Sequence, residues 1–231
     1  MDKIKVILQV LRYLPYTLYF NFYYLPLKQA IVLPIWLYKP NFIKLKGNVT
    51  ISGSIKSGMI RLGFNRVSIY PQTGISLEIK GTIKFLGRCD IGNNSYISIG
   101  EKGNVKFGDQ FAASTSLKLV CYKSIVFGDR VRFGYDCMCV DTDFHSIKSE
   151  DGNMVSNAIG SISLGADCWI AMKCVVLKNS VLPNKSIVAS MSLLNKSYAE
   201  LPEKVMLAGV PASLKKVGVW RDILDDKVDY N

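Results

Sequence analysis

The chain has 231 residues, 49% of them apolar and 20% charged, which is too hydrophobic for a disordered polymer, and its 18 glycines and 8 prolines exclude a collagen-like or low-complexity one. Lysine and arginine number 29 against 18 acids, and the net charge of +11 favours anionic partners; the basic residues are scattered without a recognition motif, so nucleic acid is set aside. One histidine, His145, excludes every site that needs two or three imidazoles from one chain, including the three-histidine zinc centre of γ-class carbonic anhydrases.

Residues 1–46 differ in composition from the rest. They hold seven basic side chains (Lys3, Lys5, Arg12, Lys28, Lys39, Lys44, Lys46), one acid (Asp2) and ten aromatics. Ile4, Ile7, Leu8 and Leu11 follow helical spacing as far as Pro15, and an apolar aromatic run continues to Tyr24, so the segment is predicted to be helical. Pro15, Pro26 and Pro34 with polar Gln9, Arg12, Asn21 and Lys28 interrupt any membrane-spanning stretch, and the small-residue cleavage site of a secretory leader is missing. Two placements stay open: helices packed on the main body or a neighbouring subunit, or a basic aromatic surface resting peripherally on the inner face of a membrane.

Residues 47–196 are predicted to form a solenoid. Between Gly47 and Gly100 glycines and β-branched residues begin it irregularly; Ile91-Gly92 and Ile97 suggest early coils. The period becomes strict later. Leu164, Ile170, Val176, Leu182, Val188 and Leu194 stand six apart, and Cys168, Cys174, Ser180, Ser186 and Ser192 fill a small slot four positions after each of the first five. Phe127, Phe133 and Cys139 keep the same step, with Val131 and Cys137 in the small slot. A unit with one inward aliphatic and one small residue at a bend is a short strand plus a turn, and three units close one coil of eighteen residues.

The period breaks at 141–160, whose Ser, Lys, Glu, Asp, Gly and Asn content marks an extruded loop containing His145. Residues 197–231 read as a cap and tail, with a short helix predicted from Val219 to Asp226. The six cysteines (89, 121, 137, 139, 168, 174) have neither the dense spacing of a disulfide scaffold nor paired metal-ligand spacing, and are expected to be reduced thiols of a cytoplasmic protein. Those at 137, 168 and 174 occupy the small slot and are assigned to packing rather than catalysis. Read as a calcium loop, Asp141-x-Asp143-x-His145 has histidine at the third ligand position and lacks the glycine that follows, so no metal is expected.

With the hexads, three segments resemble the left-handed parallel β-helix acyltransferases of the hexapeptide-repeat superfamily, and the sugar O-acetyltransferases among them: Asp141-Thr142-Asp143-Phe144-His145-Ser146-Ile147, Leu164-Gly165-Ala166-Asp167-Cys168-Trp169-Ile170-Ala171, and Ala208-Gly209-Val210-Pro211-Ala212. The resemblance covers about residues 90–217. It implies an all-β left-handed fold, a homotrimer with each site between neighbouring subunits, and acetyl-CoA as cosubstrate. His145 would be the general base that removes a hydroxyl proton as the oxygen attacks the thioester. Trp169, twenty-four residues later, would line the acceptor or thioester region; Asp143 and Asp141 would orient the imidazole or contact the sugar, against the alternative that they only hydrogen-bond local backbone; Ser114 would contact the acceptor. Cofactor contacts would fall at Ala171, Ser190, Asn195, Lys196, Ala208, Gly209, Pro211 and Lys216, the lysines facing phosphates. In many relatives Ala189-Ser190-Met191 reads Gly-Ala-Gly and Ser213 is basic.

The expectation is therefore O-acetylation of a saccharide, lipid-linked or free, in surface polysaccharide assembly. Acetylation of an amino sugar or of a small acceptor such as an antibiotic is the enzymatic alternative. A noncatalytic β-helix scaffold is the alternative of another class.

Overall fold

The computed structural model describes residues 11–67 and 69–223. Its body is three sheets of parallel strands in which each strand pairs with the one a full coil later. The first sheet runs through Ile35–Leu37, Ile60–Phe64, Cys89–Gly92, Phe111–Ala113, Arg132–Phe133, Trp169–Ile170 and Ile187–Val188. The second includes Met138–Val140 and Val175–Leu177, and the third Ser124–Phe127 and Ile162–Leu164. This is the all-β parallel β-helix expected from the hexads, of the left-handed class that the resemblance implies.

Register shows why the period is visible only late in the chain. Ile60 pairs with Cys89, Cys89 with Phe111, Ala112 with Arg132 and Trp169 with Ile187, so coils take 29, 22 and 20 residues and, after the coil that carries the 141–160 loop, 18. Only the last is three hexads. Inward residues of each strand are buried: Leu164, Ile170, Val176, Leu182, Val188 and Leu194 are all 3% exposed or less. Earlier coils fill the wider interior with aromatics. Phe85, Phe107 and Phe127 stack at centroid spacings of 5.2 and 5.4 Å, near the distance between neighbouring strands.

Each corner of the regular coils needs one residue in the left-handed region. Asp167, Lys173, Asn179, Lys185 and Met191, six apart, have φ between 57° and 66°. The next residue is the small one (Cys168, Cys174, Ser180, Ser186, Ser192), buried under the bend at 2% exposure or less. The small slot thus exists because the backbone turns sharply inward and leaves room for one heavy side-chain atom beyond Cβ.

Two devices close the ends. Helix α1, Leu14–Tyr24, lies on the first coil with Phe20, Thr17 and Asn21 buried. Asn21 donates from Nδ2 to the Ile35 carbonyl at 2.7 Å and accepts the Ile35 N–H on Oδ1 at 3.1 Å, and Thr17 Oγ1 accepts the Leu37 N–H at 3.1 Å. Side chains thus satisfy a rim that has no preceding coil. The first strands, Ile35–Leu37 and Pro40–Leu45, lie inside residues 1–46, so the solenoid starts before the compositional change at Gly47. At the other end Val205–Gly209 adds one more parallel strand beside Ile187–Val188 and folds back as an antiparallel hairpin with Ala212–Val217. Residues 219–223 are irregular where a helix was predicted: the Val219 N–H bonds the Lys204 carbonyl at 2.9 Å, and the Lys204 ammonium sits 4.5 Å from the Trp220 ring centroid. Residues 224–226 of that prediction, like Ile4, Ile7 and Leu8, lie outside the described residues.

Candidate active site

The loop at 141–160 is an arm whose two stalks are zipped together. Thr142 bridges Ile159, the Asp143 N–H bonds the Ala158 carbonyl at 2.8 Å, and the Gly160 N–H bonds the Asp141 carbonyl at 2.9 Å. Beyond them Ile147–Lys148 pairs antiparallel with Met154–Ser156. The arm takes the distance from Arg132 to Trp169 to 37 residues, against 18 in the next coil, without disturbing the register on either side. It leaves between the second and third sheets, at the corner opposite the first. His145 is exposed on it, beside Phe144, whose ring meets Tyr122 edge-on at 5.3 Å.

Asp141 is not available to an acceptor. It is completely buried; its Oδ1 accepts the Tyr122 N–H at 2.6 Å and its Oδ2 the N–H groups of Lys123 and Ser124 at 2.8 and 2.9 Å. The carboxylate fixes the turn of the preceding coil and, through it, the root of the arm. Asp143 does not orient the imidazole either. Its carboxylate pairs with the Lys178 ammonium at 2.6 Å, and Lys178 also donates to the Asn157 carbonyl, which ties both stalks to the solenoid. The stalk pairing turns Asp143 back toward the corner, where Lys178 meets it.

Trp169 and Ser114 do meet. They line one open cleft of about 530 Å³ on the first sheet with Arg66, Arg132, Phe133 and Arg221. Arg132 and Trp169 are register neighbours, and the Arg221 guanidinium lies 4.8 Å from the Trp169 ring centroid. Burial, then the nearby Arg221, Arg66 and Arg130, pull the Arg132 pKa below its ordinary value. The arginines are the lining residues that sequence reading missed. Arg132 precedes inward Phe133 as Trp169 precedes inward Ile170, and aligning coils on that phase would have paired them; Arg221, from a tail with no period, gave no signal.

The residues expected to contact the cofactor separate into groups. Ala171 and Ser190 sit at the corner between the first and second sheets on consecutive coils, where the Met191 N–H bonds the Met172 carbonyl at 3.0 Å. Ala208 and Gly209 end the strand on the coil after, and the Gly209 N–H bonds Ser192 Oγ at 3.1 Å. Ala171 is buried, so it offers backbone only; Ser190, Gly209 and Pro211 are exposed. Asn195 and Lys196 follow the last strand of the second sheet, exposed at a different corner, with the Lys196 ammonium 5.7 Å from the Tyr198 ring centroid. Lys216 is exposed on the hairpin opposite Met206.

All six cysteines are free and buried. Burial pushes the Cys168 thiol up to about 12, and its Sγ donates to the Pro183 carbonyl at 3.2 Å, so it packs as a small apolar residue. Among the described residues no group of three His, Cys, Asp or Glu side chains is placed to hold a metal ion.

No family model and no curated protein matches the chain. Solved structures to which it is similar include the polySia-specific acetyltransferase NeuO (15% identity, 81% of this chain and 74% of that one, TM-score 0.47). Galactoside acetyltransferase in complex with coenzyme A matches at 14% identity over 94% and 84% of the two chains, with TM-score 0.41. The polysialic acid O-acetyltransferase OatWY matches at 19% identity over 83% and 90%, with TM-score 0.37. At these scores neither activity nor acceptor follows from the likeness.

Proposed function

We propose that the protein is an acetyl-CoA-dependent O-acetyltransferase acting on a saccharide hydroxyl as a homotrimer, with His145 as general base. The observation that carries the reading is the division of parts within one protomer. The lone imidazole is held out on a braced arm at the corner opposite the sheet that carries the Trp169 cleft, while Ala171, Ser190 and Gly209 line up on consecutive coils next to that sheet. A threefold ring of copies would bring the arm of one to the cleft of the next through a closed head-to-tail interface. The imidazole then takes the acceptor hydroxyl proton as its oxygen attacks the thioester carbonyl, and returns it to the sulfur as the C–S bond breaks. Trp169 floors the cleft and Ser114 offers a hydroxyl to the acceptor. The donor would lie along the backbone at Ala171, Ser190, Ala208 and Gly209, with Pro211 beside it and Asn195, Lys196 and Lys216 for its nucleotide and phosphates.

The H145A variant is expected to keep its assembly mass and lose thioester consumption with a saccharide acceptor by at least about 10²-fold, the usual contribution of a positioned base. Undiminished turnover rejects the base; no turnover in the wild type with any saccharide favours the scaffold reading.

The proposal places the enzyme in the cytoplasm, peripheral to the inner membrane, in surface polysaccharide assembly. Support comes from the outer side of α1, where Tyr16, Tyr19, Phe22 and Tyr23 are exposed at 47–52%. Among the described residues no helix is long and apolar enough to cross a membrane. Wild-type protein is expected to float with anionic vesicles, and Y19S/F22S to stay in the dense fraction.

A further inference from the structure

The cleft beside Trp169 is the end of a longer feature. Arg61, Asp90, Ala112, Arg132 and Trp169 are register neighbours on five consecutive coils of the first sheet. Four strand spacings of about 4.8 Å give roughly 19 Å from Arg61 to Trp169. A second cleft lies along the earlier part of this column and shares Arg66, Ala112 and Arg132 with the first, so the two are continuous. Ala112, midway, leaves the floor low.

Charge along this groove is one-sided. Arg61, Arg66, Arg88, Arg132 and Arg221 line it, and the acid lining it is Asp90. Asp90 is already shared: Arg66 Nε donates to its Oδ1 at 3.0 Å, and Arg61 Nε lies 3.7 Å from its Oδ2. Arg61 Nε is buried without a hydrogen-bond partner. Arg132 donates to the Gln110 and Val131 carbonyls and makes no ion pair among the described residues, with Asp167 and Asp90 acting on its charge only at longer range. Guanidinium groups crowded in a half-buried groove are a standing cost that bound carboxylates or phosphates relieve through paired hydrogen bonds.

We infer that this groove binds a chain-like acceptor carrying carboxylates or phosphodiesters along its length, and delivers its end to Trp169. The inference rests on the reading above that the Trp169 cleft receives the acceptor. The donor is the less fitting occupant, because Ser190 and Gly209 lie on later coils and the arginines run the other way from Trp169.

The test is calorimetric titration of the full chain, without donor, using an oligogalacturonate, poly(glycerol phosphate) and neutral maltoheptaose. At least one acidic probe is expected to bind and the neutral one not; the stronger acidic probe identifies the anion as carboxylate or phosphodiester. R61M/R132M is expected to lose about tenfold or more in affinity, as for charged hydrogen bonds, while K84A/K106A, exposed on the third sheet, removes the same charge with little effect. Arg88 is exposed, so R88M weakens binding without a folding burden. The inference is overturned if no acidic probe binds, if the neutral glycan binds as well, or if K84A/K106A loses as much as R61M/R132M. It is also overturned if R61M/R132M weakens acetyl-CoA binding or splits the oligomer. H145A should still bind the acidic probe: binding without thioester turnover in the wild type sinks only the transfer reading, and turnover without binding sinks only the groove.

Discussion

Asp141 and Asp143 flank one residue and look interchangeable in the sequence, yet they face different neighbours. Asp141 accepts three backbone N–H groups from complete burial, whereas the Asp143 carboxylate is 33% exposed and pairs with Lys178. Removing the first leaves three partly buried donors without their acceptor, so D141A should cost on the order of 2–3 kcal/mol. D143N, which loses a partly screened ion pair, should cost under about 1 kcal/mol. Urea unfolding of the two variants checks the order, and the reverse order would show that the turn at 122–124 does not depend on Asp141. That His145 stands on an extruded loop was legible from composition alone. The fate of its neighbours was not, because it depends on a turn at residues 122–124, one coil earlier, whose position overhead only the register reveals.

The hexads told the coil from Leu164 onward, where three units make eighteen residues, and they failed before Gly100 because coils of 22 and 29 residues carry extra residues that dissolve the period. Corner chemistry was half visible: the small slot was seen, the left-handed residue before it was not, since Asp, Lys, Asn and Met all occupy it. No side-chain type unites them; only the backbone does. At such a corner a β-branched side chain is the worst fit. K173V, at φ 57° on an exposed site, should lower unfolding free energy by about 1–2 kcal/mol with no loss of packing contact. A thermal melt unchanged from wild type would show that the corner relaxes. The tail failed as a helix for a related reason: Trp220 and Arg221 find partners in Lys204 and Trp169 by lying flat across earlier coils, contacts that a helical turn would break.

For the molecule as a whole, the proposed site needs two chains, and that can be checked without a structure of the complex. H145A and W169A, each inactive, should regain a measurable fraction of wild-type turnover when unfolded together and reassembled, because mixed rings hold some interfaces with both residues intact. No recovery from mixed assemblies of confirmed mass would place imidazole and indole in one protomer. The stack itself has no natural length, since every coil ends in the same row of unmet amides and carbonyls that the next one would fill. What sets the length is a pair of stoppers, an asparagine and a threonine on a helix at one end and a hairpin at the other. Shorn of the first, the protein would fail by pairing rim to rim with a second copy, and only with both gone could it grow into fibres.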